Sequence, residues 1–226
     1  MIIRNSQYVI LSQSSNTHYW EQDVYPEWTP FAIIRHFPEQ RIGSGVEPHY
    51  HDCDETWLFS AGHGEVWLED ERYPITPNTL VYTPMGVVHH FQMYSNGENN
   101  AFVTRMERRK RATHILVEEQ GPPEKTVPGF VVAGDSNTGP LQNPGSRCPF
   151  TELRMLKLNA GEGEAEAQLP SNEHWLVLDG TLHLEVDQRE VELYQGDVAL
   201  LRAGLVRRAW ANAATRVILM RERPHS

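Results

Sequence analysis

Apolar side chains recur along this chain with a period of two rather than the 3.6 of a helix. In Thr181 to Val186 the apolar Leu182, Leu184 and Val186 alternate with Thr181, His183 and Glu185, the pattern of a strand with one face in a core. Comparable short runs fall around Trp57–Phe59, Val66–Leu68, Leu80–Tyr82, His89–Met93, Ala101–Met106 and Arg216–Met220, divided by Gly, Pro, Asn and Asp. No long amphipathic helical pattern interrupts them. Many short strands punctuated in this way predict a sandwich or a barrel, and closure removes the sheet edges that invite aggregation.

Sliding the chain along itself exposes a repeat. A single ungapped shift of 118 positions sets Gly43 on Gly161, Gly45 on Gly163, Glu55 on Glu173, Trp57 on Trp175, Leu58 on Leu176, Gly62 on Gly180 and Gly86 on Gly204. Chance does not keep glycines, an acid and a tryptophan in one register, so the chain reads as two copies of one unit. The expected division is an N-terminal barrel over 1–120, a Pro/Gly-rich connector over 121–148 and a C-terminal barrel over 149–226. Within the connector, the apolar Phe130, Val131, Val132 and Ala133 offer an alternative to plain connection, one extended strand docked on a barrel. The fold class is all-β, two tandem jelly-roll barrels.

Composition narrows the function classes. No apolar run approaches the roughly 20 residues of a membrane span, so no membrane partner is expected. With 20 basic against 30 acidic residues the formal charge is −10, which repels a phosphate backbone and argues against nucleic acid. The basic run Arg108, Arg109, Lys110 and Arg111 is short and follows an expected strand; a solvated strand end explains it. Cys53 and Cys148 are too few for a disulfide framework and form no CxxC pair, which reads as a reducing compartment with structural thiols. The N-terminal residues lack the basic start, apolar stretch and cleavage site of an export signal, and the expected location is cytoplasmic.

The chemistry concentrates in the first copy. In GSGVEPHYHDCDETWLFSAG, His49 and His51 stand two apart, and on a strand such residues project from one face. Glu55 shares their parity, and the intervening Asp52, Cys53 and Asp54 can turn so that its carboxylate joins them. A fourth group comes from VYTPMGVVHHFQM, where His89 follows a Pro84–Met85–Gly86 turn and shares its face with Phe91 and Met93, while His90 points away. Three imidazoles and one carboxylate make a mixed nitrogen and oxygen site suited to iron, manganese, nickel, copper or zinc rather than to magnesium or calcium. His63 and His114 belong to no such grouping and are expected at the surface.

These residues resemble the two signatures of the cupin superfamily. Gly43, His49, His51, Glu55 and Gly62 fill every place of the first. Pro84, Gly86 and His89 match the second, which departs at Asn78, where glycine is usual, and at Met93, where asparagine is usual. Asn78 is a turn residue that tolerates positive φ and Met93 is no ligand, so neither departure touches the expected metal site. The resemblance implies one divalent metal ion on His49, His51, Glu55 and His89, with iron the first choice and manganese, nickel, zinc or copper the alternatives. Homodimers, common among cupins, are a further implication.

Carried forward by 118, the four positions become Ala167, Leu169, Glu173 and Arg207. Alanine and leucine bind no metal and arginine keeps its charge in any protein environment, so the second barrel is expected to be metal-free. A carboxylate facing a barrel interior needs a partner. The guanidinium of Arg207 is therefore predicted to stand in for the metal and pair with Glu173, either as structure alone or around a small anionic or sugar-like ligand.

For the first barrel, the resemblance implies a site with one or two open coordination positions and a small-molecule substrate. Trp57, Phe59, Phe91 and Met93 are expected to wall the substrate pocket, with Tyr82 offering a hydroxyl, and Glu55 is the candidate proton acceptor. The leading expectation is a metal-dependent dioxygenase. Its alternatives are sugar or uronate isomerase or lyase chemistry, and a binding protein without turnover.

Overall fold

The computed structural model describes residues 1–4, 9–12, 17–20, 25–104, 114–121, 123, 128–132 and 148–223. The basic run at Arg108–Arg111 lies outside the described residues, as does most of the expected connector. The described chain is almost wholly strand. In order these are Ile2–Ile3 (β1), Val9–Ser12 (β2), Thr17–Trp20 (β3), Phe31–Gln40 (β4), Gly45–Tyr50 (β5), Glu55–Ala61 (β6), Gly64–Leu68 (β7), Glu71–Ile75 (β8), Thr79–Thr83 (β9), His89–Met93 (β10), Gly97–Thr104 (β11) and Ile115–Leu116 (β12). A single turn of helix, Val117–Gln120 (α1), precedes Phe130–Val132 (β13), Phe150–Leu158 (β14), Gly163–Gln168 (β15), Glu173–Asp179 (β16), Thr181–Val186 (β17), Arg189–Tyr194 (β18), Val198–Leu201 (β19), Val206–Ala211 (β20) and Thr215–Glu222 (β21).

Two compact units divide the chain: Tyr8–Asn137 with Asn143–Cys148, and Met1–Gln7 with Thr138–Gln142 and Pro149–Ser226. Each contains two antiparallel sheets, the arrangement of a jelly-roll barrel. In the first unit the sheets run β13-β9-β6-β11-β4-β3-β2 and β12-β5-β10-β7-β8; in the second, β1-β19-β16-β21-β14 and β15-β20-β17-β18. The boundaries differ from the sequence expectation at the start of the chain. Ile2 and Ile3 pair with Ala199 and Val198, because the edge of β19 needs a partner for its backbone groups, and Ile2 packs against the core of that unit. In the expected connector, Phe130–Val132 forms a strand on β9, with Val131 opposite Val81.

Alternation decides which residues meet. On β7, Gly64, Val66 and Leu68 are buried while Glu65 and Trp67 are only partly so; on β10 the buried set is His89, Phe91 and Met93. The apolar members of these sets join Trp57, Phe59, Ile75, Val81 and Ala101 in one core, and a fully buried Phe59 or Val66 stabilises the fold by about 1.5–3 kcal/mol. The second unit builds its core from Trp175, Val177, Leu182, Leu184, Val217, Leu219 and others on the same plan. Corresponding hairpin glycines close both units. Gly62 has φ +96°, and a Cβ there would lie 2.8 Å from the Gly97 Cα; Gly180 has φ +81° and would meet the Ala214 carbonyl at 2.7 Å. Both the backbone angle and the space require glycine.

Candidate metal centre

The strand register gathers four side chains at one interior point. His49, on β5, lies opposite His89, on β10; His51 follows the end of β5, and Glu55 opens β6. All four are buried, and one ligand atom from each lies within 4.8 Å of the others. The imidazole centroids are 4.8 Å apart for His49 and His51, 4.3 Å for His49 and His89, and 5.2 Å for His51 and His89. Donors about 2.0–2.2 Å from one ion are at most about 4.4 Å apart, so the four groups must draw inward to close on a metal.

Hydrogen bonding fixes the useful tautomers. His49 Nδ1 lies 2.7 Å from the Glu47 carbonyl and His89 Nδ1 lies 2.8 Å from the Val87 carbonyl. A carbonyl only accepts, so each Nδ1 carries the proton and each Nε2 presents a lone pair to the site. Neither Nε2 has a hydrogen-bond partner among the described residues, and a buried ring nitrogen without one is costly. A metal ion would satisfy both. Glu55 Oε2 lies 3.0 Å from His51 Nε2 and 3.4 Å from His89 Nε2, which completes a donor set suited to a single ion.

Burial governs the charges. Desolvation, then the neighbouring His89, brings His49 down to about 2, and His89 is lowered mainly by its burial. Both rings are thus in the neutral form that binds metal. Burial alone would raise Glu55, but attraction to His51, the hydrogen bond with His51, the nearby His89 ring and the charge of Arg35 hold it well below the usual carboxylate range. Beside the group opens a cavity of about 330 Å³, lined by Arg35, Phe37, Trp57, Phe91, Asn99 and His114 among others. Its walls are mostly apolar, with a few convergent polar groups, the usual make-up of a small-molecule site.

Residues 39–103 match the family described as the cupin domain, and the sheets, the repeat and the His-His-Glu-His group agree with it. That stretch is a cupin domain. Over its full length the chain resembles in fold the oxalate decarboxylase of Bacillus subtilis, with a TM-score of 0.66 and 13% identity, covering 100% of this chain and 78% of that one. It also resembles AerE of Microcystis aeruginosa, with a TM-score of 0.60 and 12% identity over 96% of each chain. Both likenesses concern the fold. In sequence it is 32% identical over 80 residues to the uncharacterized protein y4oW of Sinorhizobium fredii, a match covering 35% of this chain and 37% of that protein.

The second barrel keeps the register and changes the chemistry. Ala167 lies opposite Arg207, as His49 lies opposite His89. Arg207 Nε donates to Glu173 Oε1 at 2.7 Å and Nη2 to Oε2 at 3.2 Å, with Nη1 on the Ala165 carbonyl at 2.7 Å. Glu173 also accepts from Trp175 Nε1 at 2.8 Å and Arg221 Nε at 3.1 Å. Arg221 reaches Glu152 in turn, and Arg154 reaches Glu152 and Glu164. Three arginines therefore face three glutamates, and the network is self-neutralising.

Of the residues expected in the pocket, Trp57 and Phe91 line the cavity. Phe59 and Met93 face the interior but lie two residues further along their strands from the site, inside the packed core. Tyr82 does not line it: Tyr82 pairs with Thr56 whereas Val81 pairs with the inward Trp57, so its side chain leaves by the other face and its hydroxyl donates to Asp54 at 2.9 Å. His114 is exposed, as expected, and also stands at the rim of the site. Its ring stacks on His49 at 4.1 Å and lies 5.2 Å from His51. One side is open to solvent, while desolvation of the inner side and the nearby His51 lower it to about 4. The pairing of Ile115 and Leu116 with Tyr50 and His49 carries it there, and the apolar Ile115–Leu116–Val117 run was the available signal. Arg35 had none, since its partner strand lies more than 60 residues away.

Proposed function

We propose that this protein is a metal-dependent enzyme acting on a small molecule, with dioxygenase-type oxidation the reaction the site supports best. The observation that carries this reading is the pair of buried, partnerless Nε2 atoms of His49 and His89, aimed with His51 and Glu55 at one point beside a largely apolar cavity. His49, His51, Glu55 and His89 would hold the ion. A divalent ion such as Fe(II) would supply a redox-capable Lewis acid with positions open to a substrate oxygen and to dioxygen. The chain's own share is orientation and exclusion of water. The carbonyls of Glu47 and Val87 fix two imidazoles, Trp57 and Phe91 present apolar walls to the substrate, and Glu55 is placed to accept a proton if one carboxylate oxygen is free.

A second reading is lyase or isomerase chemistry without net oxidation, in which Glu55 moves a proton on a carbonyl-bearing substrate. The fold likeness to an oxalate decarboxylase with Mn(II) centres supports it and makes Mn(II) the ion to try second. Metal analysis followed by oxygen uptake with catechols, flavonols and small diketones, in air and under nitrogen, separates the two. Oxygen consumption matched to product supports the oxygenase; turnover under nitrogen removes it. A loaded protein that binds these compounds without converting any of them would be a binding module.

A further inference from the structure

The cavity beside the metal centre holds a cation that the described residues leave short of an anion. Arg35 lies on β4, opposite Ala101, which lies opposite Trp57 on β6. Its side chain is 12% exposed, and its nearest carboxylate among the described residues is Glu55, with Nη1 3.8 Å from Oε1. Its Nε has no hydrogen-bond partner among the described residues, and neither has the buried Oδ1 of Asn99 in the same cavity. Both residues line one space large enough for a small organic molecule.

The second barrel shows what belongs there. In its matching row, Arg154 lies opposite Leu219, which lies opposite Trp175, so Arg154 is the register equivalent of Arg35. That arginine is neutralised: Nη2 donates to Glu164 at 2.8 Å, and Nε lies 2.6 Å from Glu152 as an ion pair without hydrogen-bond geometry. Traced back through the pairing, Glu152 opposite Arg221 corresponds to Ile33 opposite Val103, and Glu164 opposite Ala209 corresponds to Val46 opposite Phe91. Both acids are apolar residues in the first barrel. The buried Leu219 is Ala101 there, which leaves the space open. One barrel fills the place with its own carboxylates; the other keeps the arginine and provides room.

We propose that Arg35 is the binding group for a carboxylate of the substrate, which occupies in the first barrel the place that Glu152 and Glu164 fill in the second. This rests on the reading of the cavity as a substrate site. The substrate class is then a small carboxylic acid with a hydroxyl or similar donor for Asn99 and an apolar body against Phe37, Trp57 and Phe91.

Mandelate, which carries all three features, and its uncharged amide test the proposal by calorimetric titration of the protein with and without Mn(II). The native protein should bind mandelate more tightly than mandelamide. Arg35→Gln should weaken mandelate by roughly tenfold to a hundredfold, the range for a hydrogen bond to a charged group, with mandelamide affinity and Mn(II) content unchanged. Arg35→Lys should fall between, and Val46→Glu, which restores the acid of the second barrel, should exclude mandelate while the protein still melts cooperatively. Equal affinity of the native protein for acid and amide, including no binding of either, would overturn the proposal. So would undiminished mandelate binding in Arg35→Gln, or loss of Mn(II) from that variant, which would make Arg35 a positioning residue for Glu55. Should the native protein take up no metal, the metal reading fails separately, and the acid-over-amide preference of the metal-free protein decides for Arg35.

Discussion

Replacing Arg207 with methionine isolates the energetics of the buried network in the second barrel. Glu173 is fully buried and Arg207 nearly so, and the variant removes two of the four hydrogen bonds that Glu173 accepts. Taking away one partner of a buried ion pair costs about 3–5 kcal/mol, because the remaining charge is left uncompensated. Arg221 still reaches Glu173, from a partly exposed position, which sets the expectation at the lower end, about 3 kcal/mol. For a unit of this size that corresponds to a fall in melting temperature of roughly 12–24 °C. Hydrogen exchange in peptides covering β16 and β21, followed through a urea series, reads this unit apart from the first. The double variant Arg207→Met with Glu173→Leu should regain more than half of the loss, since an apolar pair replaces the ion pair while Arg221 keeps Glu152. A single variant that melts within about 3 °C of the native protein would refute the reasoning, as would a double variant as unstable as the single.

Further outcomes concern the first barrel. His49→Ala should lose bound metal while its circular dichroism stays native, and undiminished metal content by mass spectrometry would rule the site out. In the metal-free protein, His49 binds its proton only near pH 2, whereas the unfolded chain takes one up near the ordinary value of 6.5. Stability must then fall as pH drops below about 6.5, by about 2 kcal/mol between about pH 7.5 and about pH 5. Glu55, held below the usual carboxylate range, adds loss in the same direction at lower pH, and a first unit whose urea midpoint is flat or rises toward about pH 5 contradicts this. Cys53 is buried and its thiol is pushed up by burial and then by Glu55, so a thiol reagent should label it in the folded protein only at the rate of unfolding.

Much of this was legible in the sequence because strand periodicity is strictly two. Parity alone put His49, His51, Glu55 and His89 on inward faces, and the repeat put Arg207 against Glu173 before any coordinates. Asn78, at the place where the family favours glycine, has φ +68°, the angle a turn asparagine tolerates. Pairing across long separations was not legible. Parity cannot tell how far along a barrel an inward residue lies, which is why Phe59 and Met93 are core and Trp57 is wall. It also fails where two strands of unknown register meet, which is how Tyr82 was misplaced and how Arg35 and His114 were missed. The matching of Arg154 to Arg35 is offset by one residue from the general repeat, so it emerges only from the observed ladder.

The pairing of β1 with β19 bears on how the molecule is made. Ile2 and Ala199 are nearly 200 residues apart, so at about 5–20 residues per second the first strand waits roughly 10–40 s on the ribosome before its partner is synthesised. Until then a short apolar segment has no native mate, and when β19 does emerge its edge is open to any neighbouring strand. Fusing a bulky domain close to Ile2 would therefore be felt nearly 200 residues away, as slower maturation of the second barrel.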